Sequence, residues 1–247
     1  MEDWQEGEVV ENIKWTKNLA SLKIKAKINT HQAGQFTRIG LKINDDFVTR
    51  SYSYASAPED ELLEIIYVNV ANGIFSPRLF ELKTGDKVSV MKQAIGYFTM
   101  DEIPDGKNLW MLATGTALGV FLAMLKTSSP WKRFEKIILI HSVRYAEDLI
   151  YQDLIKELKG LNPNQLIYLT AVTRSVVEGS YNNRIPKGFS TEDFQNSVQI
   201  KIDKDSQFML CGNPEMIKET TEVLKSFGLN KNRRAKPGNI TVERYWV

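Results

Sequence analysis

Arg50-Ser51-Tyr52-Ser53 carries the most legible chemistry in this sequence. A guanidinium grips phosphate oxygens in pairs. The Tyr52 ring can cover a planar heterocycle, and the Ser53 hydroxyl can donate or accept at its edge. The set suits a ligand that joins a flat, polar-edged ring to phosphate. The stretch follows an alternating hydrophobic run and leads to Pro58, so it reads as a strand running out to an exposed mouth.

Two further stretches point to anions. In Asn72-Gly73-Ile74-Phe75-Ser76 a glycine turn precedes Pro77, which makes Ser76 the expected N-cap of a helix with proline at its first position. The positive end of that helix, together with Arg50, could hold a diphosphate. Downstream, Leu112-Ala113-Thr114-Gly115-Thr116-Ala117-Leu118-Gly119 joins a strand to a helix, where parallel sheets receive phosphate. Its spacing is neither that of G-x-G-x-x-G nor that of a nucleoside-triphosphate loop. The strands that follow end in cations. Residues 137–143 run into Arg144 and residues 166–172 into Thr173-Arg174-Ser175, while Arg184 stands in the loop Asn182-Asn183-Arg184-Ile185-Pro186. An acid at such a strand end reads ribose hydroxyls, whereas arginine accommodates a 2′-phosphate. These arginines therefore predict a pocket for the adenylate of NADPH.

Composition narrows the class. Lys and Arg number 32 against 30 Asp and Glu, a net charge of +2, which gives no general case for nucleic acid or an anionic membrane. Two local clusters, Lys132/Arg133/Lys136 and Lys231/Arg233/Arg234/Lys236, read either as solvated faces or as docking surfaces for an acidic partner. Cys211 is the lone cysteine, so an internal disulfide and a four-thiolate iron–sulfur cluster are excluded. On its own it reads as a small buried hydrophobe. His31 and His141 lie far apart in no ligand-like spacing, and no metal site is expected. Without a leading apolar run or a membrane-length apolar span, the chain is expected to be cytoplasmic.

The elements that must position these residues change in kind near residue 100. Alternating runs at 19–26 and 36–43 and further short strands at 49–58, 62–70 and 87–91, separated by turn residues, predict an antiparallel β-barrel or sandwich interrupted by the helix after Ser76. Ala20, Leu22, Ile24 and Ala26 share one face, as do Ile39, Leu41 and Ile43. The polar stretch 101–107 reads as a connector. Strands at 108–113, 136–143, 165–173 and 208–211 then alternate with helices at 118–126, 147–159 and 214–227, and a last strand spans 240–245. That pattern predicts an α/β parallel-sheet domain. The expected division is a barrel domain at 1–100 and a nucleotide-binding domain at 101–247 that carries the C-terminal strand and aromatic tail.

Taken in order, these motifs resemble the ferredoxin/flavodoxin–NADP(H) reductase family in its short bacterial form, over nearly the whole chain. Arg50-Ser51-Tyr52-Ser53 is similar to its flavin motif, and Gly73-Ile74-Phe75-Ser76-Pro77-Arg78-Leu79 to its flavin-diphosphate motif. Ala113-Thr114-Gly115-Thr116-Ala117 resembles the nicotinamide-side loop. His141-Ser142-Val143-Arg144, with Arg174 and Arg184, resembles the 2′-phosphate site. Cys211-Gly212-Asn213-Pro214 and Val242-Glu243-Arg244-Tyr245-Trp246 resemble the closing motifs. The chain departs from the family pattern at Ala113, Val120 and Ser142, where many relatives have glycine, proline and glycine, and at the extra terminal Val247.

The resemblance implies FAD held by Arg50, Tyr52, Ser53, Tyr67, Val68, Ile74, Phe75, Ser76, Thr116 and Trp246. It implies NADPH held by Thr114, Gly115, Thr116, Arg144, Arg174 and Arg184, and a reacting centre lined by Ser53, Cys211, Glu243 and Tyr245. Hydride would pass between NADPH and FAD, and single electrons to or from ferredoxin or flavodoxin. The aromatic C-terminus would move aside for nicotinamide. Two alternatives stay open: a related flavin reductase serving an oxygenase component or a ferric chelate, and a non-catalytic nucleotide-binding module.

Overall fold

Six antiparallel strands build the first unit of the computed structural model, which describes residues 3–245. Strands β1 (Trp4–Lys14), β2 (Leu19–Lys25), β3 (Phe36–Ile43), β4 (Asp46–Ser53), β5 (Leu63–Val68) and β6 (Lys87–Met91) pair antiparallel in the order β4-β3-β6-β1-β2-β5. Just past β4, a bridge joins Tyr54 to Ile65, and the Ala55 N–H donates to the Glu64 carbonyl at 2.7 Å. These contacts return one edge of the sheet to the other, giving the expected barrel. Its interior holds Ala20, Leu22 and Ile24 from β2 and Ile39 and Leu41 from β3, the faces that alternation predicts, with Ile65, Val88 and Val90.

Strand β1 is not anticipated from sequence, and its inward positions explain why. Gly7 stands where a Cβ would come within 2.6 Å of Ile24 Cγ2, and the register shifts between Val9 and Glu11. A glycine and a bulge erase the hydrophobic alternation that marks the other strands.

Helix α1 (Ser76–Glu81) begins one residue earlier than expected, with Phe75 in the cap position. Ser76 does not cap it. Its hydroxyl instead accepts the Val70 N–H at 3.0 Å and pins the Val70–Ser76 loop from within. Asn12 secures the other end. Its side-chain amide donates to the carbonyls of Leu79 (3.0 Å) and Leu82 (2.9 Å), while its oxygen accepts the Tyr67 hydroxyl at 2.8 Å. One side chain thus joins β1, β5 and the last turn of the helix.

The helix α2 (Leu118–Leu125) follows the nucleotide-type turn in sequence, yet Gly119–Thr127 cluster with the barrel residues. A Cβ on Gly119 would lie 3.0 Å from both Ala55 Cβ and Ile66 Cδ1, so the missing side chain allows the helix to approach. Phe121 packs edge-on to Phe98 at 5.9 Å, and Lys126 pairs with Asp60 at 2.8 Å.

The second unit comprises Met100–Leu118 and the described residues from Ser128 onward. Strands β7 (Asn108–Thr114), β8 (Lys136–Val143), β9 (Leu166–Val172), β10 (Ser206–Gly212) and β11 (Ile240–Arg244) form a parallel sheet in the order β11-β10-β7-β8-β9. Helices α3 (Ser129–Arg133), α4 (Gln152–Leu161), α5 (Ile185–Ser190), α6 (Asp193–Val198) and α7 (Pro214–Ser226) complete it. The three short helices, α3, α5 and α6, are too brief for periodicity to reveal. Helix α4 starts later than the sequence suggests. Tyr151 adopts a left-handed φ of 59°, which separates it from a single tight turn at Ala146–Asp148. The aromatic core stacks Trp110 on Phe208 at 5.7 Å, with Phe189 edge-on to both.

Both basic clusters are partly spent on the fold. Arg133 bonds to the carbonyls of Met100 and Ile103 and to Asp105, and Lys136 to the Asn164 carbonyl. Arg234 grips Glu102 with two bonds, at 2.7 and 3.2 Å.

Replacing Asn12 with Ala should cost about 2–3 kcal/mol in urea unfolding, the scale of several partly buried hydrogen bonds lost together. A loss below about 0.5 kcal/mol would contradict the role given to Asn12.

Candidate functional site

Tyr52 lies on β4, and its position there follows from the closure of the barrel beyond it. The ring runs nearly parallel to Phe75, with centroids 6.3 Å apart and 30° between planes, and meets the edge of Tyr67 at 6.4 Å. Phe75 and Tyr67 are buried, whereas Tyr52 is half-buried and Arg50 exposed. The Arg50 guanidinium sits 6.0 Å from the centre of the Phe75 ring, and its Nη1 donates to the Thr49 carbonyl at 2.7 Å. Burial holds the Tyr52 hydroxyl far above the ordinary phenol range, against the opposing pull of Arg50. It therefore stays protonated.

The predicted flavin-side residues thus fall into separate tasks. Arg50, Tyr52 and Ser53 share one strand. Phe75 and Tyr67 back the Tyr52 ring, and the Tyr67 hydroxyl is already bound to Asn12. Val68 is half-buried at the end of β5, and Ile74 is 61% exposed. No side chain caps the start of α1, and its first turn contains no acid. An aromatic wall, a guanidinium and an uncapped helix start match the donor set that a dinucleotide with a planar ring requires. Gly73 fits the same loop, since a Cβ there would lie 3.0 Å from the Val70 carbonyl oxygen. Trp246 lies outside the described residues.

In the second unit the neighbouring strands hold the β7 turn from two sides. On one side, the Thr114 hydroxyl accepts the Asn213 N–H at 2.8 Å, and a Cβ on Gly212 would come within 2.1 Å of that oxygen. Gly212 also has φ +125°, where L side chains are rare. On the other side, His141 Nε2 lies 3.1 Å from the Gly115 carbonyl oxygen, and Gly115 turns the chain at φ +55°. Thr116, beyond it, is buried. Asn213 then caps α7 by accepting the Glu215 and Met216 N–H groups.

The parallel register sets Cys211 opposite Glu243, and the thiol points at Glu243 Oε2 across 3.8 Å. Burial above all, then the Glu243 charge, pushes the thiol well above its usual range, so Sγ keeps its proton. The Tyr245 N–H donates to the Gly212 carbonyl at 3.0 Å, extending the ladder one residue past β11. Cys211, Glu243 and Tyr245 therefore share one corner of the sheet.

Two of the three predicted arginines stand on linked loops. The Arg174 N–H donates to the Arg144 carbonyl at 2.8 Å, and the Ala146 N–H to Ser175 Oγ at 3.0 Å. Both side chains are exposed. Arg184 differs. It lies 2.9 Å from Glu219 and 3.5 Å from Glu215, both on α7. Reading the sequence for motifs left His141, Gly212 and Asn213 without individual roles. The signal available for Gly212 was its place between the end of a strand and the Asn-Pro start of a helix.

Comparison with known proteins places both units. Residues 6–99 match the family model described as an oxidoreductase FAD-binding domain, and residues 111–222 that of an oxidoreductase NAD-binding domain. The chain is 41% identical to a flavodoxin/ferredoxin–NADP reductase of Shigella flexneri and 40% identical to that of Escherichia coli strain K12, each over the full length of both chains. It superposes on a ferredoxin–NADP+ reductase from Neisseria gonorrhoeae, solved with bound FAD and NADP, with a TM-score of 0.91, 30% identity and 98% of each chain covered. The fold and these motifs define a two-module oxidoreductase, with an antiparallel flavin-type barrel followed by a parallel nucleotide-type sheet. The chain belongs to the flavodoxin/ferredoxin–NADP reductase family. Among the described residues no helix is long and apolar enough to cross a membrane, and no cluster of ligating side chains could hold a metal ion.

Burial lowers His141 from 6.5 to about 4. An unfolded chain therefore binds a proton between these values that the folded chain refuses, so stability should fall as pH drops from about 6.5 to 4, by roughly 3 kcal/mol. Denaturation of wild type and His141→Gln across this range checks it. The variant should lose that part of the slope, and an identical pH dependence would contradict it.

Proposed function

We propose that this protein is an FAD-dependent, cytoplasmic ferredoxin (flavodoxin)–NADP(+) reductase. It transfers hydride between NADPH and FAD, and single electrons to or from ferredoxin or flavodoxin. The observation that carries the reading is the full-length match to reductases of that name at 41% identity. We assign residues 1–100 to FAD binding and residues 101–247 to NADPH binding.

When bound, FAD supplies the conversion between a two-electron donor and one-electron acceptors. The chain supplies grip and orientation. Arg50 neutralises diphosphate charge next to the start of α1. Tyr52, held flat by Phe75 and edge-on by Tyr67, covers a planar ring, and Ser53 offers a hydroxyl at its edge. Thr114, Gly115 and Thr116 present backbone to the nicotinamide half of NADPH. Cys211 Sγ holds its proton toward Glu243 Oε2, so this corner offers an uncharged thiol to the nicotinamide ring. Tyr245 closes the same corner, where its N–H is bound to the Gly212 carbonyl.

Arg144 and Arg174 are the better placed readers of a 2′-phosphate, because Arg184 must first leave two carboxylates. Replacing Arg144 or Arg174 with Ala should weaken NADPH by roughly 1.5–3 kcal/mol each, the scale of a charged hydrogen bond. NADH should be nearly unaffected, and Arg184→Ala should cost less than either. Equal losses for NADPH and NADH would show that these arginines read something else. Acceptor choice is tested by anaerobic mixing with NADPH and a catalytic amount of this protein. Reduction of ferredoxin or flavodoxin supports the reading, and reduction of small ferric chelates alone would overturn it.

A further inference from the structure

His141 lies toward the C-terminal end of β8, fully buried, and has no individual role in binding or electron transfer as described above. A histidine in a β-strand core is costly unless its ring nitrogens have a use. Nε2 has one: it is 3.1 Å from the Gly115 carbonyl oxygen. That oxygen can only accept, so Nε2 carries the hydrogen and the neutral ring leaves Nδ1 as a bare acceptor. Nδ1 is buried without a hydrogen-bond partner.

The bond reaches a critical peptide. Gly115 holds φ +55°, and a Cβ on it would meet nothing within 4 Å. Packing does not enforce the turn on that side, and the hydrogen bond can. Thr114, one residue earlier, is fixed by Asn213, which directly follows β10. The turn is thus clamped at consecutive residues by its two flanking strands, and His141 is the clamp on the β8 side.

We infer that His141 is a positioning residue for the nicotinamide half of the dinucleotide, acting through the Gly115 carbonyl to fix the Thr114–Thr116 turn. The inference rests on the NADPH reading above and deepens it. It separates the nucleotide site into two parts: a turn that depends on His141, and the arginine-bearing loops after β8 and β9, which do not.

The test uses the full-length, flavin-loaded protein and two probes, NADP+ and 2′-phospho-AMP, which lacks the nicotinamide half. Binding is measured by calorimetry, independently of turnover. Gln and Met have nearly the same shape, but only Gln offers an N–H, so His141→Gln and His141→Met isolate the donor. His141→Met should weaken NADP+ about three- to tenfold, the scale of one neutral hydrogen bond, and change 2′-phospho-AMP by less than about twofold. His141→Gln should stay within about twofold of wild type for both probes. Gly115→Ala, strained at its left-handed φ, should reproduce the selective loss from the other end of the bond, and it carries the test if His141→Met does not fold. Equal weakening of both probes, or no weakening of NADP+, would overturn the inference while leaving the reductase reading intact. A wild-type protein that binds neither probe would overturn the reading itself.

Discussion

The second unit depends on how closely the ends of β7 and β10 approach each other. Gly212 has no side chain because the Thr114 hydroxyl occupies the space that a Cβ would fill, and that hydroxyl is held there by the Asn213 N–H. Asn213 also starts α7, and Cys211 precedes it in register with Glu243. A single contact therefore ties the Thr114–Thr116 turn to the start of α7, next to the thiol–carboxylate pair. Such sharing fits the general placement of ligands at the C-terminal ends of parallel strands, where several chain segments converge.

The barrel solves a different problem. It must present one aromatic ring at its surface without letting it collapse inward. Tyr52 meets this need because Phe75 lies beneath it and Tyr67 stands against its side. Tyr67 is fixed in turn by Asn12, which also grips the last turn of α1. The support thus runs from Asn12 on β1 to the Tyr52 ring. A partly buried polar group whose donors and acceptor are all engaged rigidifies its surroundings in this way.

Much of this was legible in the sequence. The inward faces of β2 and β3 followed from period-two alternation, and β8 carries four consecutive apolar residues, Ile137 to Ile140, that mark a strand buried on both faces. Strand β1 escaped because Gly7 and a bulge interrupt its pattern. The role of Ser76 was misjudged for a local reason: a hydroxyl before proline caps a helix only if nothing else claims it, and Val70 does. The arginines at the strand ends were visible as residues, but the carboxylates that engage Arg184 come from α7, some 30 positions further on, and no local pattern links them. His141 stands out in the sequence only as a metal-ligand candidate and as the first residue of the motif that ends in Arg144. Its bond to Gly115 depends on register between strands, which spacing along the chain does not reveal.

The central claim is that the barrel binds FAD and the parallel sheet binds a 2′-phosphorylated nicotinamide dinucleotide. Anaerobic titration of the purified protein, followed through flavin absorbance, tests this most directly. The account predicts a yellow protein bleached by stoichiometric NADPH, with NADH at least about tenfold less effective, the value of roughly 1.4 kcal/mol at the 2′-phosphate. A colourless protein that takes up no FAD, or bleaching by NADH as readily as by NADPH, would contradict it.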